Sequence, residues 1–167
     1  GNFWVDLTRV TLHLLLPLAT VVALLLASQG VVQTLDARLT VTPLDQATAT
    51  TQVIPVGPAA SQVAIKQLGT NGGGFFNVNS AHPPENPTPF SNLVQLVSIL
   101  LIPAACVFAF GTLLRDKRQG WALLAAMSII FAGALAVTWP AEQAGTPALA
   151  SAGAALGGSE LTPGGNM

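Results

Sequence analysis

The stretch Gly57-Pro58-Ala59-Ala60-Ser61-Gln62-Val63-Ala64-Ile65-Lys66-Gln67-Leu68-Gly69-Thr70-Asn71-Gly72-Gly73-Gly74 decides how this chain folds. Proline suits the first turn of a helix, so Pro58 opens one; Ala59 to Leu68 continue it and Gly69 ends it. At about 1.5 Å per residue, ten residues reach about 15 Å, half of the roughly 30 Å of hydrocarbon in a bilayer. This helix is too short to cross a membrane, and a run of glycines follows it.

Its surroundings give that shortness meaning. Of 167 residues, 51% are apolar and only 8% charged, a composition foreign to an ordinary soluble domain. Three apolar runs, roughly residues 10–30, 93–114 and 121–139, are each long enough to span as a helix, and the charges fall outside them. The first run exceeds the apolar part of a signal peptide and is expected to stay in the membrane. The chain begins at Gly1-Asn2-Phe3 and stops at Met167 in a Gly/Pro-rich stretch, so it reads as a segment of a longer protein. A net charge of −1 with no basic stripe gives no footprint for nucleic acid, and the lone Cys106 excludes a disulfide framework.

Arg115-Asp116-Lys117-Arg118 fills the short link between the second and third runs, which the positive-inside tendency puts in the cytoplasm. Arg9 does the same for the start of the first run. Residues 31–89 then begin and end outside. Within them, residues 34–56, rich in Thr, Pro and Val with Asp36, Arg38 and Asp45, read as an extracytoplasmic loop with a short hairpin. The Pro-opened helix dips in, and the turn-rich Ser80-Ala81-His82-Pro83-Pro84-Glu85-Asn86-Pro87 leads back to the second span. Residues 141–167 read as an extracytoplasmic connector. Trp4, Trp121 and Trp139 sit at span ends, where an amphipathic indole suits the interface.

Non-helical backbone at membrane depth is tolerated only where protein or a watery cavity surrounds it. Glycines let successive carbonyls turn to one side, and a row of carbonyl oxygens replaces a cation's water shell. Gly69, Thr70, Asn71, Gly72, Gly73 and Gly74 are therefore the candidate ion-binding residues. Thr70 offers a hydroxyl or a carbonyl, Asn71 an amide oxygen, and the preceding helix end a partial negative charge. No Asp or Glu lies within the three runs, so a cation must be held by neutral oxygens, which suit potassium better than magnesium. A flexible linker is the plain alternative for any glycine run. A phosphate-cradling loop is a poor one, since a helix precedes the glycines and no Gly-Lys-Ser/Thr follows them. Lys66 reads as a snorkelling or ion-paired lysine at the outer interface, or as a regulatory charge near the ion entrance, with Glu85 a possible partner. His13 reads as an interhelical hydrogen bonder, His82 as a solvated or packed turn residue, and Pro17 and Pro103 as kink sites.

The pieces Gly57-Pro58-Ala59-Ala60-Ser61-Gln62, Ala64-Ile65-Lys66 and Leu68-Gly69-Thr70-Asn71-Gly72-Gly73-Gly74-Phe75-Phe76-Asn77 closely resemble the potassium-binding A subunit family of the Kdp potassium-transporting ATPases. So do Asn79-Ser80-Ala81-His82-Pro83, Glu85-Asn86-Pro87-Thr88, Gly1-Asn2-Phe3-Trp4-Val5-Asp6-Leu7-Thr8-Arg9 and Arg118-Gln119-Gly120; Pro84 departs from the family's usual turn. The resemblance fades over residues 34–54 and 141–167. It implies an all-α membrane protein of potassium-channel-like repeats, each a helix, a re-entrant pore helix with filter loop, and a helix. Residues 1–115 would be one such repeat, and residues 116–167 the cytoplasmic link, third helix and connector that start the next. It also implies a non-catalytic subunit with no cofactor and with potassium as the transported substrate, held at Thr70, Asn71 and Gly72 with Gly73 and Gly74 outside them. Its partners would be a P-type ATPase B subunit, a C subunit and the lipid of a bacterial plasma membrane. No Asp-Lys-Thr-Gly phosphorylation motif is present, so ATP chemistry would belong to the B subunit. A passive potassium channel, an ion-gradient-driven transporter, or a non-transporting scaffold are the competing readings.

Overall fold

The computed structural model describes residues 1–42, 51–70, 73–76 and 78–144. Asp45 of the expected outer loop, Asn71 and Gly72 of the glycine segment, and the connector from residue 145 onward lie outside the described residues. The chain is mostly helical. Among the described residues three helices are long and apolar enough to cross a bilayer: Phe3–Ser28, Pro89–Leu113 and Lys117–Ala141, of 26, 25 and 25 residues. Two compact units are present, one ending at Ile102 and the other beginning at Pro103.

The first long helix starts seven residues before its apolar run, because Asn2 caps it by accepting from the Trp4 N–H at 3.1 Å. It consists of α1 (Phe3–Val10), a π-helical turn over Thr11–Leu15 and α2 (Leu16–Ser28). Pro17 explains the wide turn: its ring cannot donate to the His13 carbonyl and would crowd it. The ladder opens there instead, with Leu16 N–H donating to the Thr11 carbonyl five residues back. Among the described residues the contact of His13 is within its own helix, its Nδ1 3.1 Å from the Arg9 carbonyl. At the far end Gly30 takes a left-handed conformation, with Gly30 N–H bonded to Ala27 and Val31 N–H to Leu26, a Schellman closure that buries Leu26 and Val31.

The expected hairpin is present as β1 (Arg38–Val41) paired antiparallel with β2 (Gln52–Pro55), Leu39 opposite Ile54. The short helix, α3 (Ala59–Leu68), has the bounds that Pro58 and Gly69 set for it. It packs on α2 through a core of Val22, Leu26, Val31, Ala60, Val63, Ala64 and Leu68, where the alanines let the two backbones approach closely. A tight 3-10 turn, Val78–Ser80, follows the glycine segment; Asn79 and Ser80 both have positive φ. α4 (Pro89–Leu113) begins with Thr88 and Ser91 exchanging side-chain bonds to each other's backbone N–H, and it runs unbroken through Pro103.

In the second unit, α4 ends with Arg115 in a left-handed conformation, and Asp116 Oδ1 accepts from Arg118 N–H to start α5 (Lys117–Ala144). Gly111 and Gly120 let the two helices nearly touch: a Cβ added at Gly111 would lie 3.1 Å from the Gly120 backbone. Trp121 meets Phe108 edge to face at 5.0 Å.

Candidate ion-binding loop and the buried groups behind it

α3 is anchored at its start by the chain that leaves α2. Its first N–H groups have no intrahelical partner, and Val32 carbonyl accepts from Ala60 at 2.9 Å while Gln33 Oε1 accepts from Ser61 at 3.0 Å. Seven of its ten residues are buried. At its end Gly69 is not the left-handed residue; φ there is −81° and the reversal falls on Thr70, at φ 60°. A β-branched residue in that region is strained by roughly 1–3 kcal/mol, which persists only where neighbours over-determine the backbone. The Thr70 hydroxyl donates to the Gly69 carbonyl at 2.7 Å, and Thr70 N–H donates to Gln67. Gly73 has φ 104°, a conformation that favours glycine, with nothing packed where a side chain would be.

Beyond Gly74 the chain is fixed again. The Phe75 ring lies against Gly57, where a Cβ would come within 2.6 Å of its Cζ, so only glycine admits this contact. Phe76 meets Phe75 edge to face at 4.8 Å and stacks on His82 at 4.9 Å, which makes His82 a packed turn residue. The Phe75 and Phe76 N–H groups both donate to Glu85 Oε1, at 2.9 and 3.4 Å. Lys66 Nζ is 3.6 Å from the same oxygen.

This architecture is a short, buried helix that ends in a glycine segment, set between long apolar helices. Residues 1–166 match the family model of the potassium-transporting ATPase A subunit. The chain belongs to the potassium-transporting ATPase A subunit family. It is 58% identical over 160 residues to the potassium-transporting ATPase potassium-binding subunit of Solibacter usitatus, covering 96% of this chain and 28% of that protein. Corresponding subunits of Anaeromyxobacter dehalogenans and Herpetosiphon aurantiacus are 59% and 58% identical over the whole of this chain, which covers 29% and 30% of them. The chain thus spans about three tenths of the length of the curated relatives it matches. With three bilayer-length helices among the described residues, this A-subunit family member is a multi-pass membrane protein.

Within this A-subunit segment the structure brings Gly69, Thr70, Gly73 and Gly74 to the C-terminal end of α3, all of them exposed. Two clefts flank that end, and Ile65 and Gly69 line both. One is apolar, about 310 Å³, and bounded by Leu15, Leu16 and Leu68; the other, about 480 Å³, is bounded by Ser61, Gln62 and Lys66. Lys66 does not snorkel. Its side chain and that of Glu85 are 1% and 0% exposed, and the pair is enclosed between α3, the segment after the glycines and the turn before α4. Burying two charges is costly, by several kcal/mol per ion before their attraction is counted. Glu85 Oε1 is compensated by two amides and an ammonium; Lys66 Nζ and Glu85 Oε2 have no hydrogen bond among the described residues.

Three further buried residues, unforeseen from the sequence, complete the arrangement. Gln67 Nε2 donates to Gln95 Oε1 at 2.8 Å and to Ser80 Oγ at 3.3 Å, while Gln95 Nε2 donates to the Glu85 carbonyl at 2.9 Å. The signal for Gln95 was present: a single amide inside an otherwise apolar span must find a partner.

Proposed function

We propose that this chain supplies one pore loop of the potassium-binding and conducting subunit of an ATP-driven potassium uptake complex. The observation that carries this is the buried ten-residue helix that stops at Gly69, with the glycine segment fixed on both sides. In this reading Gly69, Thr70, Asn71, Gly72, Gly73 and Gly74 form part of a selectivity filter, and potassium is held at Thr70, Asn71 and Gly72. The free carbonyls at the C-terminus of α3 carry partial negative charge toward the loop, and carbonyl oxygens replace the ion's water shell. α3 and its loop are re-entrant from the extracytoplasmic side of a bacterial plasma membrane. Residues 1–115 make one pore repeat, and residues 116–167 begin the next.

One loop supplies only part of a carbonyl ring, so the remaining loops come from the rest of the polypeptide. Potassium taken up from outside then passes to a P-type ATPase B subunit, with a C subunit assisting, and ATP is hydrolysed on the partner. The relatives named as potassium-binding subunits of a transporting ATPase support this over a passive channel or a gradient-driven transporter.

The test is potassium uptake by the intact complex carrying Gly72→Ala or Gly72→Asp, with assembly verified. An unsuitable dihedral costs about 1–3 kcal/mol, and 1.4 kcal/mol is about tenfold in binding, so affinity should fall about tenfold or more and discrimination against sodium should weaken. Assembled variants with unchanged affinity and ion ranking would remove Gly72 from the filter. Uptake that persists without the ATPase subunit would favour the passive alternative.

A further inference from the structure

One carboxylate touches both sides of the glycine segment. Glu85 is paired with Lys66, three residues before Gly69, and it accepts from the amides of Phe75 and Phe76, immediately after Gly74. Of its described outer residues, Gly73 and Gly74 are exposed, and a Cβ added at Gly73 would meet nothing within 4 Å. Thr70 keeps a strained left-handed backbone, which needs rigid surroundings. From these observations we infer that Lys66 and Glu85 are positioning residues for ion selection, a buried clasp that sets the separation between the two ends of the loop. The inference rests on the assignment of residues 69–74 as the ion-binding loop.

A buried ion pair is a poor way to stabilise a fold, since apolar side chains of similar volume often do as well or better. It does, however, give a carboxylate one fixed place. Here that place is fixed from three directions: Lys66 on α3, the two amides, and Gln95 on α4, which holds the Glu85 backbone while it also receives Gln67. A carboxylate accepts more strongly than an amide oxygen, so its charge tightens the Phe75 and Phe76 contacts. Sub-ångström placement of coordinating carbonyls is set by such supporting groups. Slackening the clasp lets the loop adapt to other ions, so discrimination should suffer before maximal rate does.

The experiment measures potassium uptake by the intact complex, with rubidium and sodium competition, for Glu85→Gln, the double variant Lys66→Met/Glu85→Gln, and Gly72→Ala. The double variant leaves no buried charge unpaired and so separates positioning from folding. For the double variant the expected result is normal assembly, a half-saturating potassium concentration raised about tenfold, a maximal rate within about twofold of the parent, and better competition by sodium or rubidium, whereas Glu85→Gln alone leaves the Lys66 ammonium unpaired and should assemble less well. If the assembled double variant keeps the parental affinity and ion ranking while Gly72→Ala changes them, the clasp is overturned and the loop assignment stands. If neither changes them, the loop assignment fails and the clasp with it. If no variant of the pair assembles while Gly72→Ala does, the pair is a folding element and the positioning role is overturned.

Discussion

α3 and α5 treat their side chains in opposite ways. α3 is ten residues long and carries Lys66, Gln62 and Gln67, yet most of it is buried; α5 is apolar between its charged ends, and only 6% of its most apolar stretch is covered by this chain. A helix of ten residues is marginal by itself, so α3 exists through what surrounds it: Val32 and Gln33 at its start, α2 along its side, Glu85 and Gln95 behind it. α5 satisfies its backbone internally and needs only an apolar solvent. Irregular backbone beside a short helix thus draws polar groups into the interior, whereas a bilayer-length helix demands none.

The largest expected effect breaks the α3 side of this contrast. Glu85→Ala leaves the Lys66 ammonium buried with no counter-charge and frees the Phe75 and Phe76 amides. Loss of one partner of a buried pair costs about 3–5 kcal/mol, enough to abolish assembly or to lower the melting temperature of the purified subunit by many degrees. Lys66→Met in the same background should restore part of the loss. A Glu85→Ala protein that melts with the parent would show that the pair is open to water, and α3 would then differ from α5 only in length.

Next is Gln95→Leu, which matches the apolar character of its span but leaves Gln67 Nε2 short of its 2.8 Å partner and the Glu85 carbonyl without its donor. A buried polar group left unsatisfied costs about 1–3 kcal/mol, so a substitution that raises hydropathy should lower thermal stability. An increase in stability would mean that the amide pair acts as one more lipid-tolerant contact, as on α5.

The same contrast governs what was legible in the sequence. The three apolar runs foretold all three bilayer-length helices, and Pro58 and Gly69 marked the bounds of α3, because these signals are local. The long helices overrun their runs: capping by Asn2 starts the first at Phe3, and α5 continues past Trp139 to Ala144. The Lys66–Glu85 pair was visible only as a possibility, since its members lie in separate segments that tertiary packing brings together. Gln67 with Gln95 is of the same kind. Thr70 was a candidate ligand by type, but that it, and not Gly69, takes the left-handed turn follows from how Gly69 and Thr70 bond back to Ile65 and Gln67.

The smallest expected effect is on α5. Ile130 is 73% exposed in this chain, whereas Val63 on α3 is fully buried against α2. Replacing Val63 with Ala removes two methyl groups from a packed core and should cost about 2 kcal/mol, transfer and cavity together. Ile130→Ala removes a larger group, yet lipid tails are as apolar as the side chain they replace, and they close around a truncated residue. The change should stay within about 0.5 kcal/mol, as for surface positions generally. Thermal melting of the intact subunit in a bilayer mimetic, with both variants side by side, decides between the two environments. Equal losses would show that Ile130 packs on protein outside this segment; α5 would then be a helix whose neighbours lie elsewhere in the polypeptide, and the contrast with α3 would reduce to which neighbours are in view.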